Sequence, residues 1–450
     1  MALIAIPLLV LFVIILVPWL PKIGGEVRIG LLAAAAAAAL LGGLGAGDVL
    51  PAVVDGIDQL SWVIMLSIFG SLYAESQSKL GTMTTTLDTF RALFGASSRG
   101  LVAAVILTLV LAGSLLGDAI AAATVIGFLV VRSLHDLDLS GVQISAIIVM
   151  GAVIGSGMPP ITQAFVLSSS LIEVDAGAVL RMAYPLVGVS VIIAVITGAV
   201  MVRNKRIPED AVMDESWWRI LATRWFTLVP LVLLAAIVVT ASLFEYDIFA
   251  EWAPLLAISE ALQAVPIVQG IAFPVVMAII VALLVTFAFR RVWSEAGSVV
   301  TGGLRKVSKT VQIQLCAGVM VGVFQAAGLI EAVQGFTQDL AAGALKVGGG
   351  AAVLVVGMLT GSQTTAQTTI VTFLGPVLTD IGVTPVNAAS ASALLAMSGQ
   401  SMPPVGLTTF VVAGIVAGVV GTKVDPVKVM LNVLPVSLYF CAAGFLLLFI

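Results

Sequence analysis

Two stretches of this 450-residue chain combine glycines, hydroxyls and prolines inside very apolar sequence. Gly113-Ser114 is followed by Thr124 and Gly127, and Gly361-Ser362 is followed at the same spacing by Thr372 and Gly375. Each copy leads to a small-residue stretch, Gly155-Ser156-Gly157-Met158-Pro159-Pro160 in the first case and Ser398-Gly399-Gln400-Ser401-Met402-Pro403-Pro404 in the second. Proline removes a backbone donor and frees an upstream carbonyl, while glycine permits left-handed geometry and close approach to a ligand. A helix broken at such a point exposes carbonyls from one half and amides from the other, so it can hold a cation and an anion side by side. Hard-oxygen ligation of Na+ is the chemistry expected there. One copy alone would read as a helix kink or a packing contact; two copies in register favour function.

Other polar residues at membrane depth are fewer. Asp118 lies in an apolar stretch, where a carboxylate costs a few kcal/mol and usually has a role; the alternative is a helix-end carboxylate facing water. The run Gln363-Thr364-Thr365-Ala366-Gln367-Thr368-Thr369 offers hydroxyls and amides for substrate contact or for hydrogen bonds between helices. Glu75-Ser76-Gln77-Ser78-Lys79, with Asp88 and Arg91, either lines a pathway or pairs its charges at the interface. His135, the only histidine, falls in a polar connection and reads as a solvated loop residue.

The elements that must position these residues are membrane helices. Hydrophobic residues make up 60% of the chain, charged residues 10%, and the mean hydropathy is +1.19, far outside the soluble range. Clear spans of about 20 apolar residues are expected at Ala2–Leu20, Ile29–Gly47, Tyr184–Val202, Phe226–Phe244, Ile271–Phe289 and Met430–Ile450. The first lacks the basic start and cleavage site of a signal peptide and is expected to be a retained helix. Basic clusters at Lys22/Arg28, Arg203–Arg224 and Arg290–Lys309 are expected in the cytoplasm, and the acidic segment Glu245–Gln269 on the other side. The N-terminus is then outside, and two repeats, 1–203 and 224–450, run in opposite directions around a cytoplasmic linker, 204–223. Gly81 precedes Gly113 by 32 residues and Gly328 precedes Gly361 by 33, which supports the division. Re-entrant hairpins are expected at Glu75–Arg99 and Phe324–Gly350, and the run Ala33–Ala39 is expected to serve close helix packing.

Several classes drop out. A net charge of −4 without a basic face argues against a nucleic-acid partner. Cys316 and Cys441 stand apart as free thiols, and the absence of a phosphate loop, an H-E-x-x-H motif or a Cys/His cluster leaves a membrane metalloprotease or ATPase unsupported. The chain is not expected to be an enzyme.

At these motifs the sequence resembles the large membrane subunit (DctM type) of TRAP transporters, within the ion-transporter superfamily. The likeness runs through Leu80-Gly81, Leu93-Phe94-Gly95, Gly113-Ser114, Asp118-Ala119-Ile120-Ala121-Ala122 and Ile154–Pro160. In the second half it includes Gly357-Met358, Gly382-Val383 and Pro403–Ile415. It implies an all-α polytopic membrane protein with two inverted-topology repeats, re-entrant hairpins and discontinuous helices, working as an elevator in a prokaryotic inner membrane. It also implies Na+-driven import of small organic anions such as carboxylates, with a periplasmic binding protein and a small four-helix membrane subunit as partners. Na+ ligands would come from Gly113, Ser114, Gly155, Ser156 and Gly157, and from Gly361, Ser362, Ser398, Gly399 and Ser401. Substrate would lie between the hairpin tips, near Asp118, Thr124, Pro159, Gln363, Thr364, Thr365, Gln367 and Pro403. Ile161 stands where the family often has Ser, the first two helices differ from the usual N-terminus, and arginine is scarce around the site. The alternatives are a stand-alone Na+- or H+-coupled organic-acid carrier, and a channel or passive membrane component.

Overall fold

The computed structural model describes residues 2–17, 24, 26–207, 215–243, 246–329, 332 and 341–450, and these form helices and turns with no strand among them. The first half contains α1 (Ala2–Leu16), α2 (Val27–Gly42), α3 (Ala46–Gln59), α4 (Ser61–Leu80), α5 (Thr82–Phe94), α6 (Ser98–Leu116), α7 (Ala119–His135), α8 (Gly141–Gly157), α9 (Gln163–Ile172) and α10 (Ala176–Met201). The second half continues with α11 (Trp217–Arg224), α12 (Val229–Leu243), α13 (Ile248–Glu251), α14 (Ala253–Gln263), α15 (Pro274–Phe287), α16 (Arg290–Trp293) and α17 (Ala296–Ala326). It closes with α18 (Ala342–Thr360), α19 (Gln363–Ala366), α20 (Thr372–Asp380), α21 (Pro385–Gly399), α22 (Leu407–Val420) and α23 (Pro426–Leu447). A π-helical turn, Gln367–Val371, joins α19 to α20.

Among the described residues six helices are long and apolar enough to cross a bilayer, and α3 and α4 form a further candidate span bent by 51°. Three of the six, Ala176–Met201, Trp217–Ala241 and Pro426–Leu447, overlap spans expected from sequence. The helices at 27–42 and 274–287 also occupy expected spans but are shorter. The part of the linker at 208–214 lies outside the described residues; its end is helical, because α11 packs on α5.

The helices sort into two groups. A frame is built from α1 to α4 with α12, α15 and α17; α17 packs along α2, α3 and α4. Small residues allow this closeness: Gly56 of α3 lies against the backbone of Gly318 and Gly322 of α17, and Ala34, Ala35 and Ala38 of α2 are buried. A core is built from α6 to α10 and α18 to α23. Within it the repeats interlock. The second half of each broken helix packs on the other repeat, α9 against α21 and α22 against α7 and α8, the exchange expected of two inverted copies related by a pseudo-twofold axis.

The re-entrant hairpins differ from the sequence expectation. Residues 75–99 complete α4, form α5 and enter α6, and 330–331 and 333–340 of the second expected segment lie outside the described residues. The hairpins are instead α6/α7 and α18 to α20, one element further along. In each the chain reverses within two residues, Gly117-Asp118 and Gly361-Ser362.

Candidate functional site

Both tips are built alike. Gly117 and Gly361 each adopt φ +64°, the left-handed conformation that ends an arm and turns the chain. The next residue caps the returning helix: Asp118 Oδ1 accepts from the Ala121 amide at 2.7 Å, and Ser362 Oγ accepts from the Thr365 amide at 3.3 Å. The copies are therefore related by a shift of 244 residues, four fewer than the Gly-Ser spacing suggests. Gly113-Ser114 corresponds to Gly357-Met358, and the partner of Ser362 is Asp118. One helical turn separates the two registers, so a pattern of small residues on one helix face fits either; the reversal of the chain, like the spacing of the two Pro-Pro pairs, selects the shift of 244.

The same shift relates the broken helices. A Cβ on Gly113 would lie 2.6 Å from Gly155 Cα, and one on Gly357 would lie 3.0 Å from Gly399 Cα. Beyond the break the Ile161 amide donates to Ser114 O at 3.0 Å, and the Val405 amide to Met358 O at 3.3 Å. Both Pro-Pro bonds, Pro159-Pro160 and Pro403-Pro404, are cis. Ser140 and Thr384, again 244 apart, cap the helices that lead into the breaks.

The tips and the second break meet at a cavity of about 430 Å³, a volume suited to a small molecule. The core wall consists of Asp118 to Ala121, Gly361 to Thr364, Gln163, Gln400 and residues of α22 that include Thr408. Gln400 Nε2 donates to Gln363 Oε1 at 3.0 Å, joining the second tip to the second break. The frame wall has two stripes at helical spacing, Ser67, Ser71, Ala74 and Ser78 on α4, and Lys306, Lys309, Thr310 and Ile313 on α17. Ser67 bridges the walls: its Oγ accepts from Gln163 Nε2 at 3.1 Å and from Gln314 Nε2 at 2.8 Å. Lys306 Nζ pairs with Glu75 Oε2 at 2.6 Å.

Of the expected substrate residues, Asp118, Gln363 and Thr364 line the cavity. Thr365, Gln367, Pro159 and Pro403 are not among its lining residues. Thr365 bonds Ser362 Oγ, and Gln367 Nε2 donates to Ala164 O across the repeats at 2.9 Å. Thr124 is exposed and donates to Ile120 O, away from the site. Among the expected ion ligands, Gly361 and Ser362 face the cavity. The hydroxyls of Ser114 and Ser156 donate to carbonyls of their own helices, Leu111 O and Val153 O, and each keeps lone pairs free. Ser398 donates to Ser437 O and Ser401 to Met397 O. Gly157 packs against Met397 of the other repeat.

Thr409 was not singled out from sequence. Its hydroxyl is buried without a hydrogen-bond partner, in the first turn after the second break. A Cβ at neighbouring Gly406 would lie 3.1 Å from that hydroxyl and 3.4 Å from Gln400 O. A hydroxyl and a carbonyl thus converge beside a glycine, a donor set of hard oxygens that fits Na+. No cluster of three or more His, Cys, Asp or Glu suited to a metal occurs among the described residues.

The frame stripes were also missed, although the spacing Ser67/Ser71/Ser78 and Lys306/Lys309/Thr310 is visible in the sequence. Features of both expected readings meet in the 75–91 segment: Ser78 lines the cavity, while Lys79 pairs with Glu295 at 2.5 Å and Arg224 with Asp88 at 2.7 Å. His135 ends α7 exposed, and Cys316 and Cys441 are free thiols.

Comparison with protein families matches the whole chain, residues 1–450, to "Tripartite ATP-independent periplasmic transporter, DctM component". The chain belongs to the DctM family. It is thus one component of a three-part transporter. Among solved structures it is similar to the YdaH transporter of Alcanivorax borkumensis. The TM-score is 0.58 at 16% identity, over 86% of this chain and 83% of that one, a likeness of fold. No curated protein matches the chain.

Proposed function

We propose that this DctM component carries small organic anions, carboxylates above all, into the cell by Na+-coupled elevator transport. The observation that carries this reading is the convergence of both hairpin tips on one cavity between an interlocked core and a separate frame. Neutral polar groups, tip amides and hydroxyls suit a carried anion, and the hard oxygens near Gly406 and the two breaks suit the coupling ion. The core is knit across its repeats, by Gln367 to Ala164 for example, and meets the frame where α4 packs on α6 and α9, with Trp62 Nε1 donating to Ser170 Oγ at 3.1 Å, and where α12 packs on α10. A core that moves as one body past a fixed frame fits that division.

The working assembly includes a periplasmic binding protein and a small four-helix membrane subunit. The chain sits in a prokaryotic inner membrane with its N-terminus outside and the 204–223 linker in the cytoplasm, in two inverted repeats of 1–203 and 224–450. The test is thermal stabilisation by Na+ against K+ and choline at equal ionic strength, followed by uptake in proteoliposomes with both partners. An ion bound only by the folded state adds about 2.7 kcal/mol at a hundredfold excess over its Kd. Absence of a Na+-selective shift in folded protein overturns Na+ coupling.

Asp118 favours one second reading, in which H+ is the coupling ion. It is partly buried in the core wall with no ion-pair partner within 4 Å among the described residues. Uptake driven by a pH gradient without Na+, and lost in Asp118→Asn, distinguishes it.

A further inference from the structure

Every cation lining the cavity comes from the frame. Lys306 and Lys309 are on α17, whereas the core wall contributes amides, hydroxyls and the carboxylate of Asp118. Their spacing, with Thr310 and Ile313, puts them on one face of the helix. That face is held against α4 at close range. Ser71 Oγ donates to Gly303 O at 2.8 Å, and a Cβ at Gly302 would lie 3.2 Å from the Glu75 carboxyl. The two lysines differ in one respect. Lys306 spends its charge on Glu75, while Lys309 has no carboxylate within 4 Å among the described residues. Glu26, whose carboxylate feels the charge of Lys309, is paired with Arg28 at 2.8 Å.

The geometry points to Lys309 as an anion-binding and charge-selecting residue of the cavity, taking a carboxylate of the substrate from the frame side, with Glu75 holding Lys306 beside it. This rests on the carrier reading above and deepens it. A carboxylate is drawn towards α17 and away from Asp118, while the rest of the anion lies against the amides and hydroxyls of the tips. Because the lysines belong to the frame, they do not travel with the core. They attract the anion in the state described here and release it when the core moves past, leaving transport itself to the neutral tip groups.

The test uses the complete transporter in proteoliposomes, with Cys316 and Cys441 replaced by Ala and a single reporter cysteine, Ser78→Cys, in the cavity wall. The probes are a sulfonate-bearing and a trimethylammonium-bearing methanethiosulfonate, each rate referred to that of a free thiol. A cationic cleft concentrates the anion, so the sulfonate is expected to be favoured by about tenfold. Lys309→Gln should bring the ratio close to one, Lys309→Arg should restore it, and Lys306→Gln should lower it less. A ratio near one before substitution, or one unmoved by Lys309→Gln, overturns the proposal. Na+-dependent stabilisation is read on the same variants. Its presence with an unmoved ratio sinks Lys309 alone, whereas its absence throughout sinks the Na+ reading on which the proposal rests.

Discussion

At the first tip Gly117 turns the chain and an aspartate caps the returning helix; at the second Gly361 makes the same turn, 244 residues on, and the cap is a serine. Behind the first tip the helix continues as Ala119-Ile120-Ala121-Ala122, and behind the second as Gln363-Thr364-Thr365. Thr409, with its unpartnered hydroxyl, has Phe165 as its counterpart in the first repeat. The backbone has kept its twofold pattern while the side chains have diverged, one break becoming charged and apolar and the other neutral and polar. Geometry is demanded by close backbone contact at the breaks, which only glycine permits. Side chains facing the cavity are not held by such backbone contact, and an aspartate and a serine cap equally well, so these positions are freer to differ.

That comparison can be broken at its strongest point first. Gly113→Ala places a methyl 2.6 Å from Gly155 Cα, a contact with backbone that cannot step aside, while Gly357→Ala meets Gly399 Cα at 3.0 Å. Overpacking should cost about 3 kcal/mol in the first case and about 1 kcal/mol in the second, read as thermal unfolding of the purified chain. Equal, small losses would mean that the backbones are not held together as described.

The chemical difference between tips is sharpened by Asp118→Asn and Ser362→Asn, since asparagine caps either helix. Uptake should fall about tenfold, near 1.4 kcal/mol in barrier, when the charge of Asp118 is removed. Ser362→Asn should change it much less, and a larger loss at Ser362 would reverse the assignment of the charged tip.

Thr409→Val probes the second break alone. Without Na+ the variant should be as stable as the parent, because the lost hydroxyl had no partner. With Na+, a tenfold weaker Kd would remove about 1.4 kcal/mol of the stabilisation. A full Na+ shift in this variant would move the ion to the first break.

The smallest effect lies outside both breaks. The hydrogen bond from Lys79 and its positive charge hold the Glu295 carboxyl below the usual carboxylate range. A carboxyl lowered on folding contributes stability above its unfolded value, and that stability is lost as pH falls through the folded value, below about pH 4.3. Glu295→Gln should therefore flatten stability slightly in that acidic window and leave neutral pH almost unchanged, as followed by thermal unfolding across pH.

Much of this architecture is legible in the residues alone. Apolar composition requires membrane helices. The repeated Pro-Pro pairs mark both breaks, because proline cannot continue a hydrogen-bonded helix and glycine beside it permits close approach. Asp118 stands out for the cost of placing an acid in apolar sequence. The location of the hairpins and the frame wall are not legible in that way, and the register only in part, since the Pro-Pro pairs are 244 residues apart and the Gly-Ser pairs 248. A four-residue slip keeps small residues on the same helix face, and an apolar hairpin arm has the composition of a span. Whether Lys309 looks into solvent or into a cavity depends on which helix packs beside it. Sequence by itself determined the class, the duplication and the points where helices break, since these follow from backbone chemistry local to a few residues. Tertiary structure decided that Asp118 and Ser362 cap equivalent tips, that Thr124 faces away, and that a serine stripe and two lysines from the frame line the cavity, because those relations exist only when residues far apart in the chain are packed together.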